Sequence, residues 1–318
     1  MKTALITGIT GQDGSYLSEF LLEKGYKVIG LVRRCSTTNT KNIDHILNDL
    51  TLVQGDMTES SGLFKVIENY KPDEIYNLAA QSFVQTSWKV PEYTTDVNSI
   101  GPLRLLEAIR QVKPDTKFYQ ASTSEMFGKV RESPQNEDTP FYPRSPYGVA
   151  KVFGHYITVN YRESYNLFAT SGILFNHESP RRGIEFVTKK IANGAVKIAK
   201  GEEKELRLGN LSSSRDWGFA GDYVEMMWKM LQHPVSTTFV IGTEETHTIE
   251  EFCDLAFKVV SRNYKDYVIQ APEFFRPAEV DYLISDCTKA KICLDWKPKH
   301  SFQQLVEMMV NDELYRTN

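Results

Sequence analysis

The chain has 318 residues, 41% of them apolar and 25% charged, and a formal charge of −4 from 37 basic and 41 acidic side chains. That length suits one large α/β domain or two smaller ones, and the slight acidity argues against bulk nucleic-acid binding, which rests on phosphate neutralisation. No segment approaches the roughly 20 apolar residues of a membrane span, and residues 1–8 are too short in apolar content for a secretory leader. Cys35, Cys253, Cys287 and Cys293 show neither Cys-x-x-Cys spacing nor a zinc-like Cys/His cluster. They are expected to be reduced thiols of a cytoplasmic protein that binds no metal.

In chain order, apolar runs of strand length occur at 4–7, 27–32, 51–53, 74–80, 117–121 and 168–175. Helical periodicity lies between several of them: Tyr16, Leu17, Phe20 and Leu21 share one face of a helix that stops at Gly25, and Leu103, Leu106 and Ile109 share one that ends near Pro114. Strand–helix alternation implies a parallel sheet covered on both faces, and right-handed crossovers make it doubly wound, a Rossmann arrangement. Further on, 186–199 reads as a helix, 206–208 as a strand, 221–231 as a helix and 237–241 as a strand. The segment 248–260 is an amphipathic helix with Thr248 as its N-cap, and a last helix runs from 302 to about 314. The expected plan is a cofactor domain of 1–175 plus about 211–243, and a smaller α/β substrate domain of about 176–210 plus 244–318.

The first strand runs into Gly8-Ile9-Thr10-Gly11-Gln12-Asp13-Gly14, and a helix follows. Glycines at that spacing allow a tight turn, close approach to a pyrophosphate and helix–sheet packing, with the anion at the helix N-terminus. The second strand ends in Arg33-Arg34, where an NAD enzyme usually places an acid. Two guanidiniums there suit a 2′-phosphate, so NADP is expected, although two solvated surface arginines would look the same. Asp56 and Met57 end the third strand, where an acid commonly meets adenine. Leu78, Ala79, Ala80, Gln81 and Ser82 end the fourth, where small residues let backbone lie against ribose and phosphates.

Tyr147 and Lys151 are spaced i, i+4 on a helix that opens after Pro143-Arg144-Ser145-Pro146, the sole Tyr-x-x-x-Lys spacing among 16 tyrosines. A free phenol ionises near about 10, and a neighbouring ammonium is expected to lower that value. The fifth strand leads into Thr123, Ser124 and Glu125, at the end of a parallel strand that faces the ligand crevice. Thr123 is placed to bond the substrate hydroxyl that Tyr147 deprotonates. A dehydrogenase needs one acid–base group; the carboxylate of Glu125 supplies a second, as an elimination requires.

Together these motifs resemble the extended short-chain dehydrogenase/reductase superfamily, and within it the GDP-mannose 4,6-dehydratases. The narrower resemblance rests on the strings at 8–23, 120–128, 139–151, 157–164 and 172–182, on Arg215-Asp216-Trp217-Gly218 and on Phe275-Arg276-Pro277-Ala278-Glu279-Val280-Asp281. It implies conversion of GDP-mannose to GDP-4-dehydro-6-deoxy-mannose without net redox change. Thr123, Ser124, Glu125, Tyr147 and Lys151 would be catalytic. Tyr93, His177 and Arg182 would join the cofactor contacts, with Lys151 also on the nicotinamide ribose. Ser82, Asn176, Lys190, Arg215, Arg276 and Glu279 would hold the GDP-sugar. The resemblance also implies a homodimer or homotetramer. The stretch 35–50 is shorter than in many family members, whose loop there reaches a neighbouring subunit, and Cys35 stands where Ser or Ala is more usual. A dehydratase of another nucleotide sugar such as a GDP-heptose, an epimerase or reductase of the superfamily, and a cofactor-binding regulator without catalysis are the rival readings.

Overall fold

The computed structural model describes every residue except Thr38, Arg276, Pro277, Glu279, Asp281, Thr317 and Asn318. Its first half runs β1 (Thr3–Thr7), α1 (Gln12–Glu23), β2 (Lys27–Val32), β3 (Leu50–Gln54), α2 (Ser60–Tyr70), β4 (Glu74–Asn77), the short helices α3 (Val84–Ser87) and α4 (Pro91–Thr95), α5 (Gly101–Val112), β5 (Lys117–Thr123), α6 (Pro146–Tyr165) and β6 (Ala169–Leu174). The second half adds β7 (Asn176–Glu178), α7 (Val187–Lys200), β8 (Leu206–Leu208), β9 (Ser214–Arg215), β10 (Trp217–Phe219), α8 (Ala220–Gln232), β11 (Thr238–Ile241), β12 (His247–Thr248), α9 (Ile249–Val259), β13 (Val268–Gln270), α10 (Thr288–Leu294) and α11 (Phe302–Arg316).

Seven strands form one parallel sheet in the order β3-β2-β1-β4-β5-β6-β11. Their residues are apolar on both faces because both faces are covered: Ala4, Leu5 and Ile6 of β1 are all buried. One face packs Leu5, Ile29 and Phe118 against Leu63, Ile67, Leu105 and Ile109 of α2 and α5. The other packs Ala4, Ile6 and Tyr119 with Leu17 and Leu21 of α1 and Met227 of α8. The chain winds outward from β1 to β3 and then crosses back to β4, so the crevice for a ligand opens at the C-terminal ends of β1 and β4.

Helix starts follow local chemistry. Ser145 Oγ accepts from Gly148 N (3.0 Å) ahead of Pro146 in the first turn of α6. Thr248 caps α9 as expected, in a reciprocal box with Glu251: Glu251 N donates to Thr248 Oγ1 (3.0 Å) and Thr248 N to Glu251 Oε2 (2.7 Å). The fourth strand differs from expectation. It ends at Asn77 rather than 80, because the amides of Leu78 and Ala79 turn to the Thr7 hydroxyl (3.1 and 3.0 Å) instead of a strand partner.

A second apolar core gathers α7, α9, α11 and β8 around Ile191, Phe252, Phe257, Val306 and Trp217. Short pairs join it to the sheet side: β7 lies parallel to β10, β9 antiparallel to β12, and β8 parallel to β13. Among the described residues no helix is long and apolar enough to cross a membrane.

Candidate active site

At the end of β1, Gly8 adopts φ +71°, and a Cβ there would stand 2.9 Å from Ala79 N. Only glycine lets this turn press against the end of β4. A Cβ on Gly14 would fall 2.4 Å from Gly8 O, so α1 can sit this close to the turn only with glycine there. Gly11 precedes α1 without a capping side chain, which leaves the first-turn amides directed outward. Thr7 Oγ1 donates to Asn77 Oδ1 (2.7 Å), and Asn77 Nδ2 donates to Gln120 Oε1 (2.8 Å). This buried chain ties the ends of β1, β4 and β5 together.

A cleft of about 340 Å³ opens beside these strand ends. It brings together Asp13, Leu78, Ala80, Ser82, Thr123, Ser124, Glu125, Tyr147, Lys151, Asn176, His177, Arg182, Lys190 and Arg215. Tyr147 and Thr123 share a hydrogen bond, and Lys151 Nζ donates to Ala121 O (2.9 Å). The Lys151 ammonium lies 5.8 Å from the Tyr147 ring centre. Glu125 occupies the short turn after β5, with Arg215 Nε 3.9 Å from its Oε1.

The expected lowering of the phenol does not occur. Burial pushes Tyr147 up to about 12, against a smaller downward pull from Thr123, and the Glu125 charge adds to the rise. Burial also drives Lys151 down to about 8. The spacing places the ammonium near the phenol, but loss of water dominates both groups.

Other candidates lie apart from this cleft. Arg33 and Arg34 follow β2, and Arg33 Nη1 donates to the hydroxyl of Tyr93 on α4 (2.5 Å). Asp56 Oδ1 accepts from Thr58 N (2.9 Å) and Thr58 Oγ1 (2.8 Å), whereas Met57 is buried in the α5-side core. Gln81 Nε2 donates to Phe83 O (3.0 Å), and Thr10 O accepts from Asn42 Nδ2 (3.1 Å). Arg276 and Glu279 fall outside the described residues.

Gln12 Nε2 donates to His177 O (3.0 Å), and its Oε1 accepts from Ser179 Oγ (2.8 Å), bolting the glycine turn to the segment after β6. Arg182 Nε faces Glu178 Oε2 (3.0 Å) with its guanidinium over Phe186, and Lys190 Nζ donates to Arg207 O (2.7 Å) over the Phe274 ring. Sequence reasoning misses Asn98 and His155 and assigns Asp216 no role beyond its place in a matching string. Asn98, in a wide helical turn before α5, clamps both backbone atoms of Gln81, accepting from its N (2.9 Å) and donating to its O (2.9 Å). His155 is buried 3.0 Å from Ser122 Oγ at the cleft wall, and burial takes it down to about 4, so it stays neutral. Asp216, between Arg215 and Trp217, collects five donors from the loops at 243–244 and 285. Among the described residues no cluster of acidic, His and Cys side chains could hold a metal ion.

A doubly wound sheet, a glycine turn at its first strand and a Tyr–Lys pair on the helix that follows its fifth define an extended short-chain dehydrogenase/reductase. Solved structures agree: a UDP-glucose 4-epimerase from Thermotoga maritima superposes with TM-score 0.89 at 25% identity over 99% of this chain and 100% of that one. A dTDP-glucose 4,6-dehydratase from Bacillus anthracis, solved in complex with NAD, gives 0.87 at 25% over 100% and 97%. Within that class the chain belongs to the GDP-mannose 4,6-dehydratase family, whose model, described as GDP-mannose 4,6 dehydratase, matches residues 5–309. GDP-mannose 4,6 dehydratase 2 of Arabidopsis thaliana is 55% identical over 98% of this chain and 87% of its own length. The Homo sapiens GDP-mannose 4,6 dehydratase is 51% identical over 100% and 93%.

Lys151 costs the fold stability, and the sign follows from its low value. Below about 8 the folded state must hold a buried ammonium; between about 8 and 10.5 the unfolded chain binds more protons than the folded one, so the penalty fades as pH rises. Lys151→Met is therefore expected to melt higher than the unsubstituted protein at pH 7, with the gap closing towards pH 10. Calorimetry across that range checks it; a variant that melts lower at pH 7 contradicts the assignment.

Proposed function

We propose that this chain is an NADP-dependent hydro-lyase that converts GDP-mannose into GDP-4-dehydro-6-deoxy-mannose. The observation that carries the reading is Glu125 in the same cleft as Thr123, Tyr147 and Lys151, which gives two acid–base groups where simple oxidation needs one. The family membership selects the sugar nucleotide.

Tyr147 in its phenolate form takes the proton from the hydroxyl on sugar carbon 4, and Thr123 and Ser124 position that hydroxyl. Lys151, held by Ala121 O, lies near the phenol and would hold the ribose of the nicotinamide. A dinucleotide held by the glycine turn and Lys151 would supply a hydride acceptor and donor, so that oxidation at carbon 4 and reduction at carbon 6 would consume no external reductant. Once carbon 4 is a ketone the hydrogen on carbon 5 is acidic, and Glu125 removes it. Glu125 then passes that proton to the hydroxyl leaving carbon 6 as water, and the proton regained at carbon 5 balances the one that Tyr147 took from carbon 4. Asn176, Lys190 and Arg215 serve the GDP moiety, together with Arg276 and Glu279. We divide the labour accordingly: 1–175 plus about 211–243 hold the cofactor, and the remainder holds the nucleotide sugar.

Arg33 and Arg34 favour NADP over the NAD of the Bacillus anthracis relative, with Tyr93 orienting Arg33. The chain works as a homodimer or homotetramer. Val149, Phe153 and Tyr156 stand exposed at helical spacing on α6, with Trp88 and Val90 exposed beside α3 and α4, which pack on that helix.

Purified protein given GDP-mannose and no reductant should yield a product lighter by one water, read by mass spectrometry; turnover of only UDP-, dTDP- or CDP-sugars would sink the substrate assignment. Glu125→Gln should slow water loss by about 100-fold or more while still oxidising carbon 4, and an unchanged dehydration rate removes Glu125 from the mechanism. Replacing Arg33 and Arg34 by Ser should weaken NADP binding about tenfold and leave NAD binding unaltered; equal loss for both refutes the 2′-phosphate reading. Light scattering should show an oligomer that Phe153→Glu splits, and a monomeric parent protein excludes the self-association.

A further inference from the structure

Asp13 is an awkward residue for a pyrophosphate site. It lies in the first turn of α1, where the helix dipole and the free amides attract an anion, and it lines the cleft. A carboxylate fixed there repels a second anion unless it is neutralised. The structure provides the neutraliser 164 residues away in sequence: His177 Nε2 stands 2.8 Å from Asp13 Oδ2. The other ring nitrogen, Nδ1, stands 2.8 Å from Phe175 O.

A neutral imidazole has one N–H to give. Here both nitrogens face oxygens that can only accept, so the ring satisfies both as an imidazolium. It is held in place by stacking on Tyr223 of α8, with 4.7 Å between ring centres and 23° between planes. The charged and titratable groups around it are few. Asp13 faces it from α1, Arg182 from the segment after β7, and Tyr223 from α8. The remaining oxygen of Asp13 accepts from Gln12 Nε2 (3.0 Å). Burial by itself drives His177 down and Asp13 up; in each case the partner's charge and hydrogen bond outweigh it, so His177 ends above its ordinary 6.5 and Asp13 below its ordinary 3.8.

We infer that Asp13 and His177 form a neutral ion pair that lets the N-terminus of α1 accept the cofactor's pyrophosphate, with His177 as a positioning residue rather than a catalytic one. The inference rests on the dinucleotide reading above. Its cost-free alternative, an uncharged residue at 13, would lose the bond that anchors β7 to the glycine turn. With the pair in place, the same contact serves two ends: it holds the segment bearing Asn176 and Arg182 against α1, and it cancels the charge that segment would otherwise meet. Asp13 also reaches the reaction centre, since its field acts on both Tyr147 and Lys151.

The test is equilibrium binding of NADP to the full-length chain, followed by fluorescence, with melting curves recorded alongside. His177→Asn leaves the Asp13 carboxylate uncompensated and should weaken NADP about tenfold at pH 7. The double variant Asp13→Asn/His177→Asn should return to within about threefold of the parent, because the repulsion is gone. A merely structural role predicts the opposite, a double variant no better than the single one, and that result overturns the inference, as does unaltered binding by His177→Asn. If His177→Asn does not fold, pH decides. The parent should bind fully at pH 6 and lose affinity towards pH 9 as His177 gives up its proton. Asp13→Asn should bind with little change across that window, since its imidazole has lost the counter-charge and is already neutral. Equal pH slopes in the two proteins overturn the inference. A parent that binds neither NADP nor NAD overturns the dinucleotide reading itself, whereas binding without rescue overturns this inference alone.

Discussion

The buried hydroxyl of Thr7 donates to Asn77 and accepts the amides of Leu78 and Ala79 at the one place where the sheet reverses its winding. Strands β1 and β4 end side by side there, and the amides beyond β4 would otherwise lack strand partners. Thr7 satisfies two of them with a single oxygen, and Asn77 passes the connection on to Gln120 of β5. The glycine turn, the stretch 78–82 and the Thr123–Glu125 turn therefore spring from three strand ends held in fixed relation. A substrate bridging these groups meets a surface already in place, which is what an elimination with two proton transfers demands.

The other half of the cleft depends on Asp216. Its oxygens accept from Thr243 N and Oγ1, Glu244 N, and Ser285 N and Oγ. The carboxylate is buried, and burial raises it above its usual range even though five donors favour the charged form. On one side of it Arg215 reaches towards Glu125; on the other Trp217 stacks on Phe302 in the second core. The two cores are thus registered through a three-residue segment.

Much of this was legible because it is local. The glycine turn, the Tyr147–Lys151 pair, the Thr248 cap and the strand–helix alternation each declare themselves within a few residues, and the structure keeps all four. What stayed hidden is non-local or depends on burial. Nothing in the sequence links Asp13 to His177, Thr7 to Gln120, or Asp216 to Ser285, since each pair meets only after the sheet has formed. Met57 illustrates the limit from the other side: its place at a strand end suggested a cofactor contact, yet its side chain packs on Gly101. Tyr147 does so again, because an i, i+4 spacing reports which groups are neighbours and is silent on how much water they lose.

The seventh strand carries a consequence for how the chain comes into being. β11 pairs with β6, but between them the polypeptide first builds β7, α7, the short strands β8 to β10 and α8. Residues 1–174 therefore cannot finish their own sheet; β6 keeps a bare edge until Thr238–Ile241 arrives. During synthesis that edge would present unpaired backbone groups to any passing strand. Long-range closure of this kind slows folding and lengthens the exposure to aggregation. The two cores are therefore one folding problem, and truncation anywhere before residue 241 should yield a protein that needs a chaperone rather than a smaller stable unit.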